Sequence, residues 1–310
     1  MDEFDLELLV EELEAKLGAL VRDQVRGQWD AARSGRAAPR WPVELGAGHW
    51  TERCARAMTA ADPALRARAA QLWRHALRAR VHADPGVAAA TARAEGEVGG
   101  LIALAGARNQ VARAHGFAHF GALVIAVEGA TEPAGIAPPP PPAAAMPAAA
   151  GVAQALAWLQ GLGIDAGGAR WVLAPGATPR TYVVDPPADV RVMAAPPRTG
   201  GQWHSLLHEA GHAWLAATHA PDLPWSLRDA PTRLMHEAVA EWVGGAAASE
   251  AFGVQVLGLP VEDARAWAVH RREAGRVAVR RRRARAADEW RLYRDLTDPG
   301  AATWSAAARR

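Results

Sequence analysis

Cysteine is nearly absent: Cys54 is the only one in 310 residues, so no intramolecular disulfide can staple the chain. Lysine is as scarce, since Lys16 stands alone and arginine supplies the remaining basic side chains, a bias expected of a GC-rich genome. Charge of one sign is lacking too. The 35 basic residues face 33 acidic ones for a formal net charge of +2, which lends little support to nucleic-acid binding. No stretch of about 18 apolar residues runs free of proline or charge, so nothing in the sequence calls for a membrane span. The first residues, Met1-Asp2-Glu3-Phe4-Asp5, are acidic where a secretory signal is basic and then apolar. With the lone cysteine, that start leads to the expectation of a soluble, cytoplasmic protein. Tyrosine is limited to Tyr182 and Tyr293.

What is present is largely helical patterning. Leu6, Leu9, Val10, Leu13, Leu17 and Leu20 recur at helical spacing with charges between them, the mark of an amphipathic helix. Similar patterns run from about Pro63 to Val81 and from Pro85 to His115, where Gly116 is placed to end the helix. Between Glu132 and Gly151 the composition shifts to proline and alanine, including the run Pro138 to Pro142, which favours extended backbone and reads as a linker or exposed loop. Three short β-prone runs follow, Trp171–Leu173, Thr181–Val184 and Val190–Met193, and predict a small antiparallel sheet. Two more helices are expected, at about Trp203–Thr218 and Thr232–Ser249, the second opened by Pro231. The organisation so predicted is a helical region over 1–133, a Pro/Ala-rich linker over 134–151 and a third region over 152–310.

The two late helices carry the chemistry. His208-Glu209-Ala210-Gly211-His212 is an HExxH segment, and residues four apart share one helix face, so both imidazoles can converge on a single ion with Glu209 beside it. Zn²⁺ suits two imidazoles and a carboxylate, and a catalytic zinc has three protein ligands and an open fourth position. Glu237 and Glu241 lie four apart on the next helix. Packed antiparallel to the first, that helix can supply Glu237 as third ligand and Glu241 to accept the remaining N–H of a ligand histidine. Glu209 is then the general base, with one Zn²⁺ as cofactor.

These residues bring a family resemblance into view. Asp222-Leu223-Pro224-Trp225-Ser226-Leu227-Arg228-Asp229-Ala230, followed by Met235-His236-Glu237-Ala238-Val239, resembles the region of the third zinc ligand in the angiotensin-converting-enzyme family. The related thimet oligopeptidase and oligoendopeptidase F families also pair such a segment with an upstream HExxH. More weakly, Arg108-Asn109-Gln110-Val111-Ala112-Arg113-Ala114-His115-Gly116-Phe117 is similar to a helical element of those oligopeptidases. The likeness covers about 201–245 strongly and about 107–126 weakly. It implies a mostly α, helical zincin-like metallopeptidase with a small antiparallel β-sheet before the zinc-binding helix. It also implies a channel for short peptide substrates, with the sheet edge pairing to peptide backbone.

Two departures stand out. The family usually has Asp where this chain has Glu241. The family also carries a late Tyr and His that stabilise the oxyanion, and this sequence reaches Arg310 before any segment that matches them. His270 and Tyr293 are the downstream substitutes; Tyr182, upstream on the sheet, could also face the cleft but reads first as a half-buried core tyrosine. His204, one turn before His208, and His236, beside Glu237, are candidate substrate contacts. Among the 13 tryptophans, Trp203, Trp214, Trp225 and Trp242 flank the motif helices and read chiefly as core anchors. Arg280 to Arg283 read as a solvated helix face. Three readings remain: a zinc oligopeptidase, a non-catalytic or split relative that binds peptides or needs a partner chain supplying the missing C-terminal helices, and a nucleic-acid binder using the arginine-rich helix.

Overall fold

The structure, a computed structural model, describes residues 3–42, 44, 49–94, 98–128, 151–230 and 232–295. Of the Pro/Ala-rich linker expected over 134–151, residues 134–150 lie outside the described residues, as does Pro231. The chain is mostly helical with one small sheet. Helices α1 (Glu3–Ser34), α2 (His49–Ala57), α3 (Pro63–Ala83), α4 (Pro85–Ala94), α5 (Val98–Ala114), α6 (Phe120–Glu128) and α7 (Val152–Gly161) precede strands β1 (Arg170–Leu173), β2 (Arg180–Asp185) and β3 (Asp189–Ala194). Helices α8 (Gly200–Ala217), α9 (Arg233–Gly245), α10 (Glu250–Gln255) and α11 (Val261–Asp295) complete the described fold. Among the described residues no helix is long and apolar enough to cross a membrane.

The described residues divide into two compact units that do not follow the linear order: those within 1–24, 37–136 and 282–310 form one, those within 25–36 and 137–281 the other. In the first, Leu6, Val10, Leu13 and Leu17 are buried, as their spacing on α1 requires. Arg68 grips Glu14 through two nitrogens at 3.1 and 3.0 Å. The Arg108-Asn109 pair is structural there. Asn109 donates to the Tyr293 carbonyl at 2.8 Å and accepts from the Phe120 amide at 2.8 Å, while Arg108 reaches the Tyr293 hydroxyl at 2.6 Å.

The second unit holds the sheet and the HExxH helix. Its strand order is β1-β3-β2, with β3 parallel to β1 and antiparallel to β2. The expected purely antiparallel sheet is therefore corrected to a mixed one. Strand β3 is the most apolar of the three, with Val190, Val192, Met193 and Ala194 all buried, so it takes the central place and separates β1 from β2. Helix α8 lays Trp203, Leu206, Leu207, Ala210 and Ala213 into the same core as Val190, Val192 and Ala194. Its start is set by a reciprocal cap: the Thr199 hydroxyl accepts from the Gln202 amide at 3.2 Å, and the Gln202 side chain accepts from the Arg198 amide at 2.6 Å.

Helices α8 and α9 run antiparallel and very close. A methyl group on Gly211 would meet the Ala240 Cα at 2.8 Å, and one on Gly244 would meet the His204 carbonyl at 3.1 Å and the His208 Cβ at 3.2 Å. The two glycines are what permit the approach, since neither facing backbone can step aside. The tryptophan expectation is corrected in part. Trp203 is wholly buried against Phe252, but Trp242 is 65 % exposed.

Candidate metal centre

Spacing on α8 and proximity of α9 bring three side chains to one point. His208 Nε2 and His212 Nε2 lie 3.0 Å apart, and Glu237 Oε2 lies 3.4 Å from the first and 3.7 Å from the second. Donors around a tetrahedral zinc at about 2.0–2.1 Å stand about 3.4 Å from one another. The three separations bracket that value, so the donor set fits a divalent ion of this kind in both chemistry and spacing. Arg233 Nε stands 3.6 Å from Glu237 Oε1, one turn earlier on α9.

Glu209 is adjacent and firmly held. The Thr181 hydroxyl lies 2.7 Å from Glu209 Oε2 and 3.0 Å from the Glu209 carbonyl oxygen. Thr181 comes from β2, an edge strand of the sheet. Reading the sequence alone missed it, because a threonine in a β-prone run is unremarkable until the sheet is packed on α8. Behind the histidines stands Glu241, with Oε1 3.6 Å from His208 Nδ1 and Oε2 3.1 Å from His204 Nε2. His212 has no such backing: its Nδ1 is buried without a hydrogen-bond partner among the described residues, and the His236 ring stacks on it at 4.2 Å.

The electrostatics agree with this arrangement. Contact with His208 holds the Glu237 carboxyl at about 2, against burial and with help from the fields of His212, His208 and Arg233. Burial, joined by the fields of His236 and His208, pushes His212 down to about 3, so it presents a neutral ring. Burial also works against charge on His208, yet its bond to Glu237 and the fields of Glu209, Glu241 and Glu237 outweigh it and raise the group. Burial raises Glu209, with the Thr181 hydroxyl and His208 opposing. A neutral imidazole, an ionised carboxylate and an imidazole sharing a proton with it are the donor states that a metal cation captures as it releases that proton.

The remaining candidates fall elsewhere. Tyr182 takes the core position that the sequence favours over the cleft. Thr181 points to Glu209, and strand alternation turns Tyr182 to the opposite face, where it packs edge-on against Trp29 at 5.3 Å and is buried. Tyr293 belongs to the other unit, where it is buried with its hydroxyl bonded to Arg108 and to Glu289 at 2.9 Å. His204 is bonded to Glu241. His236 is largely covered, between His212 and Asp229, whose Oδ1 is 3.9 Å from its Nε2. His270 lies on α11 and takes part in none of the clustered His/Asp/Glu groups found among the described residues.

Comparison of the chain with protein-family models, with curated proteins and with solved structures gives no match.

Proposed function

We propose that the chain is a zinc-dependent peptidase acting on short peptides, with a helical zincin-like fold. His208, His212 and Glu237 hold the metal, and Glu209 is the general base. The observation that carries the reading is the Nε2–Nε2–Oε2 triangle of 3.0, 3.4 and 3.7 Å with an immobilised carboxylate beside it. The resemblance over 201–245 supports the same assignment.

Bound there, Zn²⁺ supplies Lewis acidity toward a carbonyl oxygen and acidifies water. Glu209 takes a proton from the attacking water and delivers it to the departing amine. Its burial favours this role by raising its basicity, and the Thr181 hydroxyl keeps its carboxylate in one orientation. Strand β2, as an edge strand reaching Glu209 through Thr181, has an outer side with no strand paired to it among the described residues, along which an extended peptide can pair.

The test is direct. Purified protein should hold about one zinc per chain and hydrolyse short peptides, and Glu209→Gln should retain the metal while losing hydrolysis. Unchanged turnover in that variant would refute the assigned base.

A second reading is favoured by the engagement of both tyrosines in other contacts, Tyr182 against Trp29 and Tyr293 with Arg108 and Glu289. Oxyanion donors are typically worth about 10² to 10³ in rate. On this reading the chain binds zinc and peptide but turns over only when a partner chain supplies the donors. Robust hydrolysis by the chain alone would exclude it.

A further inference from the structure

Of the two imidazoles in the proposed metal site, only His208 has a carboxylate behind it, and that carboxylate has two histidines to serve. Glu241 directs Oε1 to His208 Nδ1 at 3.6 Å and Oε2 to His204 Nε2 at 3.1 Å. The first separation is an electrostatic contact slightly longer than a hydrogen bond. The second is a hydrogen bond in which the imidazole N–H donates and the carboxylate accepts. His204 precedes His208 by one helical turn, so the two rings sit on one face of α8 and both look across to α9.

The gap they look across is shaped for this contact. Gly244 lies under both residues, 3.1 Å from the His204 carbonyl, 3.2 Å from its Cε1 and 3.2 Å from the His208 Cβ, measured from the methyl it lacks. Any side chain there would push α9 outward and lift Glu241, one turn earlier, off both rings. Glu241 is itself 36 % exposed and Glu237 41 %. His204, whose side chain is 23 % exposed, holds one of the Glu241 carboxylate oxygens from the better-packed helix.

We infer that His204 is a positioning residue: by clamping one oxygen of Glu241 it aims the other at His208 and so sets the orientation of that metal-ligand ring. The inference rests on the metal site proposed above. Partners of this kind typically change metal affinity by about 10- to 100-fold.

The test compares zinc affinity by chelator competition in wild type, His204→Ala, His204→Gln, Glu241→Ala and the His204→Ala/Glu241→Ala double variant, alongside thermal melts of the metal-free proteins. His204→Ala should weaken zinc by roughly tenfold, and Glu241→Ala by at least as much. The double variant should be no weaker than Glu241→Ala alone, because the clamp has nothing left to hold. Glutamine, which keeps an N–H donor, should recover most of the loss, whereas a purely structural role for His204 would lower the metal-free melting temperature without that rescue. Wild-type affinity in His204→Ala, or full additivity in the double variant, overturns the clamp while leaving the metal site standing. Failure of the wild type itself to bind zinc overturns both.

Discussion

The closeness of α8 and α9 makes Gly211 the most informative single position outside the metal-binding residues. Replacing it with alanine places a methyl 2.8 Å from the Ala240 Cα, 3.0 Å from the Val243 Cβ and 3.2 Å from Val243 Cγ2. The nearest of these is backbone, so relief requires α9 to retreat by about half an ångström, toward ordinary van der Waals separation. Overpacking of this sort costs about 1–3 kcal/mol, against which alanine gains about 1 kcal/mol over glycine in helix propensity. The net loss of stability is then about 0–2 kcal/mol, so the variant should fold. Glu237 rides on α9, however, and its Oε2 is already 3.7 Å from His212 Nε2. A ligand displaced by half an ångström is enough to spoil a preorganised site, so zinc affinity should fall by more than tenfold. Gly245 provides the control, because nothing lies within 4 Å of the methyl it lacks. Gly245→Ala should raise stability by about 0.5–1 kcal/mol and leave zinc affinity unchanged. The assays are thermal melts of metal-free protein and chelator competition for zinc. A Gly211→Ala protein with wild-type affinity would refute the argument that this helix spacing sets the ligand triangle.

Thr181→Val removes the hydroxyl bonded to Glu209 and should lower kcat on a peptide substrate by roughly tenfold, with KM little changed, as loss of a hydrogen bond to a charged group implies. Thr181→Ser should restore it; steady-state kinetics that show the change in KM alone would refute the assignment. On β3, the hydrogen bond from Arg191 holds the Asp189 carboxyl below its usual range, against burial. A depressed carboxylate contributes stability that is complete above its unfolded value of about 4 and is lost as pH falls through the folded one. Asp189→Asn should therefore flatten the acid limb of the stability curve below about pH 4 while costing less than about 1 kcal/mol at neutral pH, since the pair is part-exposed. Melts from pH 2 to 7 check it, and identical acid limbs would sink it.

Much of the site was legible because it is local. An α-helix repeats every 3.6 residues, so His208 and His212 must share a face wherever the helix packs, and Glu237 and Glu241 must share another. The same periodicity on α1 announced Leu6, Val10, Leu13 and Leu17 as core. Helix α6 was not foreseen, since Phe120-Gly121-Ala122-Leu123-Val124-Ile125-Ala126-Val127 is apolar throughout and carries no alternation between faces.

From residue spacing alone come the HExxH geometry, the existence of the two site helices, the pair of glutamates and the presence of three short strands. Tertiary structure alone decided the strand order, the service of Thr181 to Glu209, the turning of Tyr182 toward Trp29, the exposure of Trp242 and the bond from His204 to Glu241. The division has one physical cause. Periodicity fixes which residues share a face, whereas the partner of each face is chosen by competition for burial among all the apolar surfaces of the chain, and that competition has no local signature.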